Sequence, residues 1–304
     1  MKEIVLITGG SGLLALNWAL AVRNSRDVIL ALHDRKICLS GTRTYSLSLE
    51  SPDEITNELR ALKPSLVIHA AGLTSVEMCE ERPNFAEHIN IDLAGNLAKA
   101  CANLKLPFVH ISTDHLFSGD AANLDENSQI APLNVYAQTK ALAECIVLKK
   151  HPKALVIRTN FYGWGTSYRQ SFSDLIIQSL RAGREIELFD DVFYTPILVE
   201  SLAHAVHELV SLGCCGIFNI VGDERISKKD FGLLIAHEFN LNSNLIKTTQ
   251  VTRQSNLVRR PLDMSLSNRK AVSVLGRGLG GIQGQVARLH EQELSGVSQE
   301  LEKL

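Results

Sequence analysis

The sequence predicts an α/β protein: a doubly wound parallel sheet with a smaller C-terminal α/β lobe. Three observations predict it. Short apolar runs alternate with longer segments of helical period through the first half of the chain. Those runs are apolar throughout rather than alternating, as strands buried on both faces of a parallel sheet require. A glycine-rich turn joins the first run to the first helical segment.

The first strand is "EIVLIT" (3–8), followed by the turn Thr8-Gly9-Gly10-Ser11-Gly12 and a helix over 13–24. The turn splits the apolar block, and Glu3 offsets Lys2, so the segment reads as strand, turn and helix rather than a secretory leader. The next strands are "DVILAL" (27–32), "LVIHAA" (66–71), "PFVHIS" (107–112) and "ALVIRT" (154–159). Helices over 53–62, 84–103 and 134–150 connect them, which is the rhythm of right-handed βαβ units.

Beyond Thr159 the rhythm changes. A helix over 171–183 is stopped by Gly183, and "EIELF" (185–189) is a short strand. A further helix runs from Pro196 to Gly213, "GIFNIVG" (216–222) is one more core strand, and Ser227 caps a helix over 226–240. A glycine-rich link and a last helix with an ordinary amphipathic stripe, interrupted at Gly296, complete the pattern.

Composition narrows the function classes. A formal net charge of −2 leaves no basic footprint for nucleic acid. No apolar run approaches the roughly 18 residues that span a bilayer. The six cysteines form no C-x-x-C pair, which reads as reduced, cytoplasmic thiols. His204 and His207 lie three apart on a helix but lack further ligands, so no metal site is expected and both read as surface or helix-end residues. His69, His88, His110 and His237 read as satisfied core or edge residues.

Gly9, Gly12 and Ala15 form G-x-x-G-x-x-A between a strand and a helix. The first glycine permits the tight turn, the second lets backbone approach a pyrophosphate, and the third small residue lets helix pack on strand. Free N–H groups at the helix start then face the phosphates, so Gly9, Ser11, Gly12, Leu13 and Leu14 are candidate dinucleotide ligands. Asp34, just after the second strand, stands where an acid bonds the adenosine ribose of NAD. Arg35, Lys36 and Arg43 are basic groups within reach, and a guanidinium there suits the extra phosphate of NADP. The basic groups tip the balance to NADP(H), with NAD(H) the other reading. The dinucleotide unit is thus expected over 1–161 plus about 191–222, Rossmann-type in its winding. Residues 162–190 plus 223–304 make a substrate lobe and tail.

"YAQTK" places Tyr136 and Lys140 on one helix face. A neighbouring ammonium lowers a phenol's pKa, and the pair then suits proton donation to a carbonyl as hydride arrives at carbon. "HISTDHLF" ends the fourth strand, so Thr113 and Asp114 are expected at the carboxyl edge of the sheet, where ligands gather. "HAAGLT" (69–74) ends the third strand with small residues that let a cofactor lie against backbone.

These motifs, with "VIRTNFYG", fall in the order of the extended short-chain dehydrogenase/reductases. "STDHLFSG" and "RRPLDMSLSNRKA" (259–271) resemble signatures of the dTDP-4-dehydrorhamnose reductase group. The resemblance runs from residue 3 to about 276 and implies nicotinamide-dependent reduction of a nucleotide-linked 4-keto-6-deoxy sugar. It places the catalytic triad on Thr113, Tyr136 and Lys140: Tyr136 donates the proton, Lys140 bonds the nicotinamide ribose, and Thr113 orients the ketone. It adds Ala70, Ala71, Thr74, Ser112, Asn160 and Phe161 to the cofactor side, and Glu77, Asp114, His115 and Arg260 to the sugar-nucleotide side. Arg260 suits a diphosphate.

The chain also departs from the pattern. His115 replaces a tyrosine, Leu116 a valine, Ser48-Leu49 an aspartate-leucine pair by the adenine, and Glu77 an aspartate; "DDVFYTPI" (190–197) matches loosely. Two other readings stay open. One is a non-catalytic NADP-binding regulatory subunit, such as the β subunit of methionine adenosyltransferase. The other is a different sugar-nucleotide reductase or an epimerase. The expected partner is the sugar-nucleotide substrate, with room for a homodimer.

Overall fold

The computed structural model describes residues 2–251 and 258–304. At its centre lies one seven-stranded parallel sheet. It is built from β1 (Ile4–Thr8), β2 (Asp27–Leu32), β3 (Arg43–Ser46), β4 (Leu66–His69), β5 (Phe108–Ile111), β6 (Leu155–Arg158) and a last strand, Gly216–Asn219. The order is Gly216–Asn219, β6, β5, β4, β1, β2, β3, so the winding reverses between β1 and β4. Helices α1 (Leu13–Val22), α2 (Pro52–Leu62), α3 (Val76–Glu81), α4 (Pro83–Glu87), α5 (Leu93–Asn103) and α6 (Val135–Lys150) follow in chain order. This is the predicted doubly wound, Rossmann-type sheet, and every predicted core strand is in it.

The residues of α1 explain its "LLALNWALAV" composition. It is buried on nearly every side, with Leu14, Leu16, Trp18 and Val22 packed between the sheet and the helix Val199–Ser211. Trp18 donates its indole N–H to His207 Nε2 at 3.1 Å. His207 is therefore a buried acceptor and not the surface residue its spacing suggests; burial pulls its pKa down to about 3.

One strand was not predicted. "RTYS" (43–46) has no apolar run because it is the sheet's edge, with three of its four residues exposed. Its first residue, Arg43, clamps Asp27 with bonds of 3.0 and 2.6 Å at the amino-terminal end of β2. Ligands collect at the opposite edge, so Arg43 drops out of the cofactor set.

The second half adds helices Phe172–Arg181 and Lys228–Glu238 around a two-stranded pair, Ile186–Phe189 with Ile246–Thr249. Ser227 caps its helix as predicted, accepting from the Asp230 N–H at 3.0 Å. The tail is two helices, Ile282–Leu294 and Val297–Glu302, because Gly296 sits at φ +88° between them. Val286, Leu289 and Leu301 share one apolar core with α1, and Glu300 takes Arg23 in paired bonds of 2.5 and 2.7 Å. No helix among the described residues is long and apolar enough to cross a membrane.

Candidate active site

A cleft of about 810 Å³ opens along the carboxyl edge of the sheet, across the point where the winding reverses. Of the predicted residues, the structure brings Gly9, Ser11, Gly12, Leu13, Leu14, Asp34, Ala70, Ala71, Thr74, Ser112, Thr113, Asp114, His115, Tyr136, Asn160 and Phe161 to its walls. Arg35, Lys140, Glu77 and Arg260, also predicted, are not among its lining residues.

The phosphate turn is made of backbone. Gly9 takes φ +67°, and a Cβ there would stand 2.9 Å from the Ala71 backbone, so only glycine fits between β1 and the end of β4. Gly12 caps α1 without a side-chain hydrogen bond, and the first turn carries no acid. The helix start thus presents uncapped N–H groups and the positive end of its dipole to the cleft. This cradle fits a pyrophosphate, and the cleft lies within the usual size range of cofactor sites.

The other end of the cleft is made of cross-linked side chains. Asn134 caps α6, accepting from the Ala137 N–H at 2.9 Å, and so fixes the first turn that carries Tyr136. Tyr136 and Thr113 line the cleft together, close enough for Thr113 to act on the ionisation of the phenol. Burial holds that phenol up at about 12, with Thr113 opposing and the Asp114 charge reinforcing. Lys140, four residues on, does not address Tyr136: its ammonium donates to the Ile111 carbonyl at 2.8 Å. Burial lowers Lys140 to about 8, against the pull of Glu144. The expected depression of the phenol by Lys140 is therefore not what this geometry gives; desolvation dominates, and the phenol keeps its proton at neutral pH.

Asp114 is buried and accepts from Asn160 Nδ2 at 2.5 Å and from Thr113 Oγ1 at 3.3 Å. His115 stands edge-on to Tyr136, with ring centroids 5.7 Å apart, and its Nδ1 has no partner. Burial lowers its pKa, and Asp114 opposes that shift. Ser112 lines the cleft, but its hydroxyl is committed to Glu144 at 2.5 Å. Glu144 in turn binds the buried Arg158 through bonds of 2.8 to 3.2 Å. Arg260 is ion-paired with Glu77.

Several lining residues lie outside the sequence expectation. Arg169 and Gln170 come from the turn after the strand Phe161–Tyr162, and Phe172 starts the helix Phe172–Arg181. Lys228 places its ammonium 3.5 Å from the Tyr194 ring centroid and 4.7 Å from that of Phe172. Burial lowers it to about 8, with Asp114 opposing. None belongs to a motif; Arg169, Gln170 and Phe172 reach the cleft through tertiary packing, while Lys228 packs on the Phe172 and Tyr194 rings and is not itself a lining residue. Beneath the sheet edge, His69 and His110 stack with centroids 5.4 Å apart. His69 meets Thr8 Oγ1 at 2.8 Å, but both ring nitrogens of His110 lack a partner among the described residues. His110 is thus not the satisfied core residue expected; His88 is half-buried and paired with Glu50 at 3.1 Å, as an edge residue should be, and His237 is exposed.

Comparison with known proteins gives the family and the fold likeness. The family model described as the RmlD substrate binding domain matches residues 1–293, extending the likeness past residue 276 into the first tail helix. The "Probable low-salt glycan biosynthesis reductase Agl14" of Haloferax volcanii is 27% identical over 84% of this chain and 86% of its own. The dTDP-4-dehydrorhamnose reductase of Shigella flexneri is 26% identical over 74% and 79%. The methionine adenosyltransferase 2 subunit beta of Pongo abelii is 25% identical over 80% and 74%. The solved dTDP-4-dehydrorhamnose reductase of Bacillus anthracis, in complex with NADP, superposes with a TM-score of 0.84. It is 23% identical and covers 96% of this chain and all 100% of its own. With a family model spanning nearly all of its length, this chain belongs to the RmlD substrate-binding domain family.

Proposed function

We propose that the chain is an NADP(H)-dependent reductase of a nucleotide-linked 4-keto-6-deoxy sugar, with Tyr136 as proton donor. The observation that carries this reading is the Tyr136 phenol. It is protonated, stands beside Thr113, and faces the same cleft as the glycine turn. When bound, the nicotinamide supplies hydride to the carbonyl carbon. Gly9, Ser11, Gly12, Leu13 and Leu14 would hold its pyrophosphate, Asp34 and Arg35 its adenosine ribose, and Ala70, Ala71 and Thr74 would lie along it. Lys140 would turn its ammonium from the Ile111 carbonyl to meet the nicotinamide ribose.

The phenol delivers its proton to the ketone oxygen. Thr113 donates its hydroxyl proton to Asp114, itself held by Asn160, and would turn it to the ketone oxygen when substrate binds. Asp114, His115, Glu77 and Arg260 form the sugar-nucleotide side. The six free thiols fit a reducing, cytoplasmic setting.

The test follows NADPH and NADH absorbance with dTDP-, GDP- and UDP-linked 4-keto sugars. Turnover on one sugar, reduced about 10²- to 10⁴-fold in Tyr136→Phe, is expected. NADPH binding with no turnover on any sugar would overturn the reductase reading in favour of a regulatory subunit.

A further inference from the structure

The chain leaves the strand Phe161–Tyr162 and returns to the cleft as a tight turn. The Thr166 N–H donates to the Arg169 carbonyl at 2.8 Å, and the Arg169 N–H donates back to the Thr166 carbonyl at 3.2 Å. Its base is fixed on both sides. Asn17 of α1 holds the Trp164 backbone through bonds of 2.7 and 3.1 Å, and the Asp174 carboxylate accepts from the Gly165 N–H at 2.6 Å. A Cβ on Gly165 would stand 2.4 Å from the Arg169 carbonyl oxygen, so the turn is closed on itself.

At the tip, the Tyr168 hydroxyl donates to the Ser11 carbonyl in the phosphate turn at 2.8 Å. The Tyr168 ring carries the Arg35 guanidinium 3.9 Å from its centroid. The next residue, Arg169, donates to Thr74 Oγ1 at 2.9 Å. Ser11, Arg35 and Thr74 follow β1, β2 and β4, three adjacent strands. One rigid turn therefore spans the strand ends that a dinucleotide crosses.

An exposed arginine samples many rotamers, and binding must freeze them. A guanidinium held 3.9 Å over a ring that is itself tied down has lost much of that freedom already, which favours phosphate capture. The position after β2 is where a dinucleotide's adenosine ribose is read, and the 2′-phosphate distinguishes NADP from NAD there. The neighbouring Asp34 carboxylate, which would repel that phosphate, is turned onto His33 Nδ1 at 3.0 Å.

We propose that Tyr168 is a specificity-determining positioning residue that holds Arg35 ready for the 2′-phosphate of NADP. This rests on the reading of Arg35 as a cofactor residue, and the test separates the two. The full chain is titrated calorimetrically with 2′,5′-ADP and with 5′-AMP, and the ratio of the two dissociation constants is read.

The parent chain favours 2′,5′-ADP. Tyr168→Ala lowers that preference about three- to fivefold, the worth of an exposed cation–π contact, with 5′-AMP affinity held as the check on folding. Tyr168→Phe keeps the ring and retains most of the preference. Arg35→Ala lowers it about tenfold or more. If Tyr168→Ala leaves the ratio unchanged while Arg35→Ala collapses it, the role of Tyr168 is overturned and that of Arg35 stands. If Arg35→Ala leaves the ratio unchanged, both are overturned.

Discussion

The two ends of the cleft are built from different materials. The phosphate end is backbone: glycines, an uncapped helix start and small residues at the end of β4. The reacting end is a lattice of side chains, in which Thr113, Asp114 and Asn160 hold one another beside Tyr136 and Ser112, Glu144 and Arg158 lock beneath them. Backbone sites fail by steric intrusion and barely respond to a lost hydrogen bond. Side-chain lattices fail when one partner is removed, because the other is left buried and unpaired.

The sharpest way to break the reacting end is Glu144→Gln, which strands the buried Arg158 guanidinium. It should cost about 3–5 kcal/mol, read as a fall in the urea midpoint at unchanged m. The double replacement Glu144→Leu with Arg158→Met should recover most of that loss. If the single variant is as stable as the parent, the lattice is not what holds this end.

At the phosphate end, Gly9→Ala should cost about 1–2 kcal/mol from the positive φ alone, plus the clash with Ala71. Its signature is lost binding of 5′-AMP and NADPH together, where a defect at the reacting end would spare 5′-AMP. Retained affinity would mean the turn does not hold the phosphates.

A third expectation concerns pH. His69 and His207 have folded pKa values near 3, lowered first by burial, and His110 is lowered in the same direction by the same cause. Their unfolded value is near 6.5, so between about pH 6.5 and 3 the unfolded chain binds more protons. Stability must therefore fall as pH falls through that window, by up to about 1.4 kcal/mol per pH unit for each imidazole. His110→Phe should flatten the slope in urea titrations; an unchanged slope would mean His110 is protonated in the fold.

The smallest effect belongs to the opposite edge of the sheet. Arg43→Ala removes a surface pair worth at most about 1 kcal/mol and should leave the 2′,5′-ADP preference untouched. A shifted preference would return Arg43 to the cofactor site.

The same contrast explains what could be read in advance. The glycine turn was legible because spacing alone encodes a backbone site: Gly9 and Gly12 fall between a continuous apolar strand and a helix. Tyr136 and Lys140 were legible as a pair on one helix face, but their energetics were not. Whether Lys140 meets the phenol or the Ile111 carbonyl is set by packing under β5. Tyr168 and Arg169 carried no signal, since a turn that closes a cleft has no period and its targets, Ser11 and Thr74, lie far away in sequence. β3 was missed because an exposed edge strand buries too little to leave an apolar run.

The cover over α1 has a consequence for synthesis. Trp18 finds His207 across 189 residues, and Arg23 finds Glu300 across 277. At about 5–20 residues per second, the helix waits on the order of tens of seconds on the ribosome before those partners exist. Throughout that interval this face of the helix lacks its final cover, so the helix that starts the dinucleotide fold is among the last to be sealed into it.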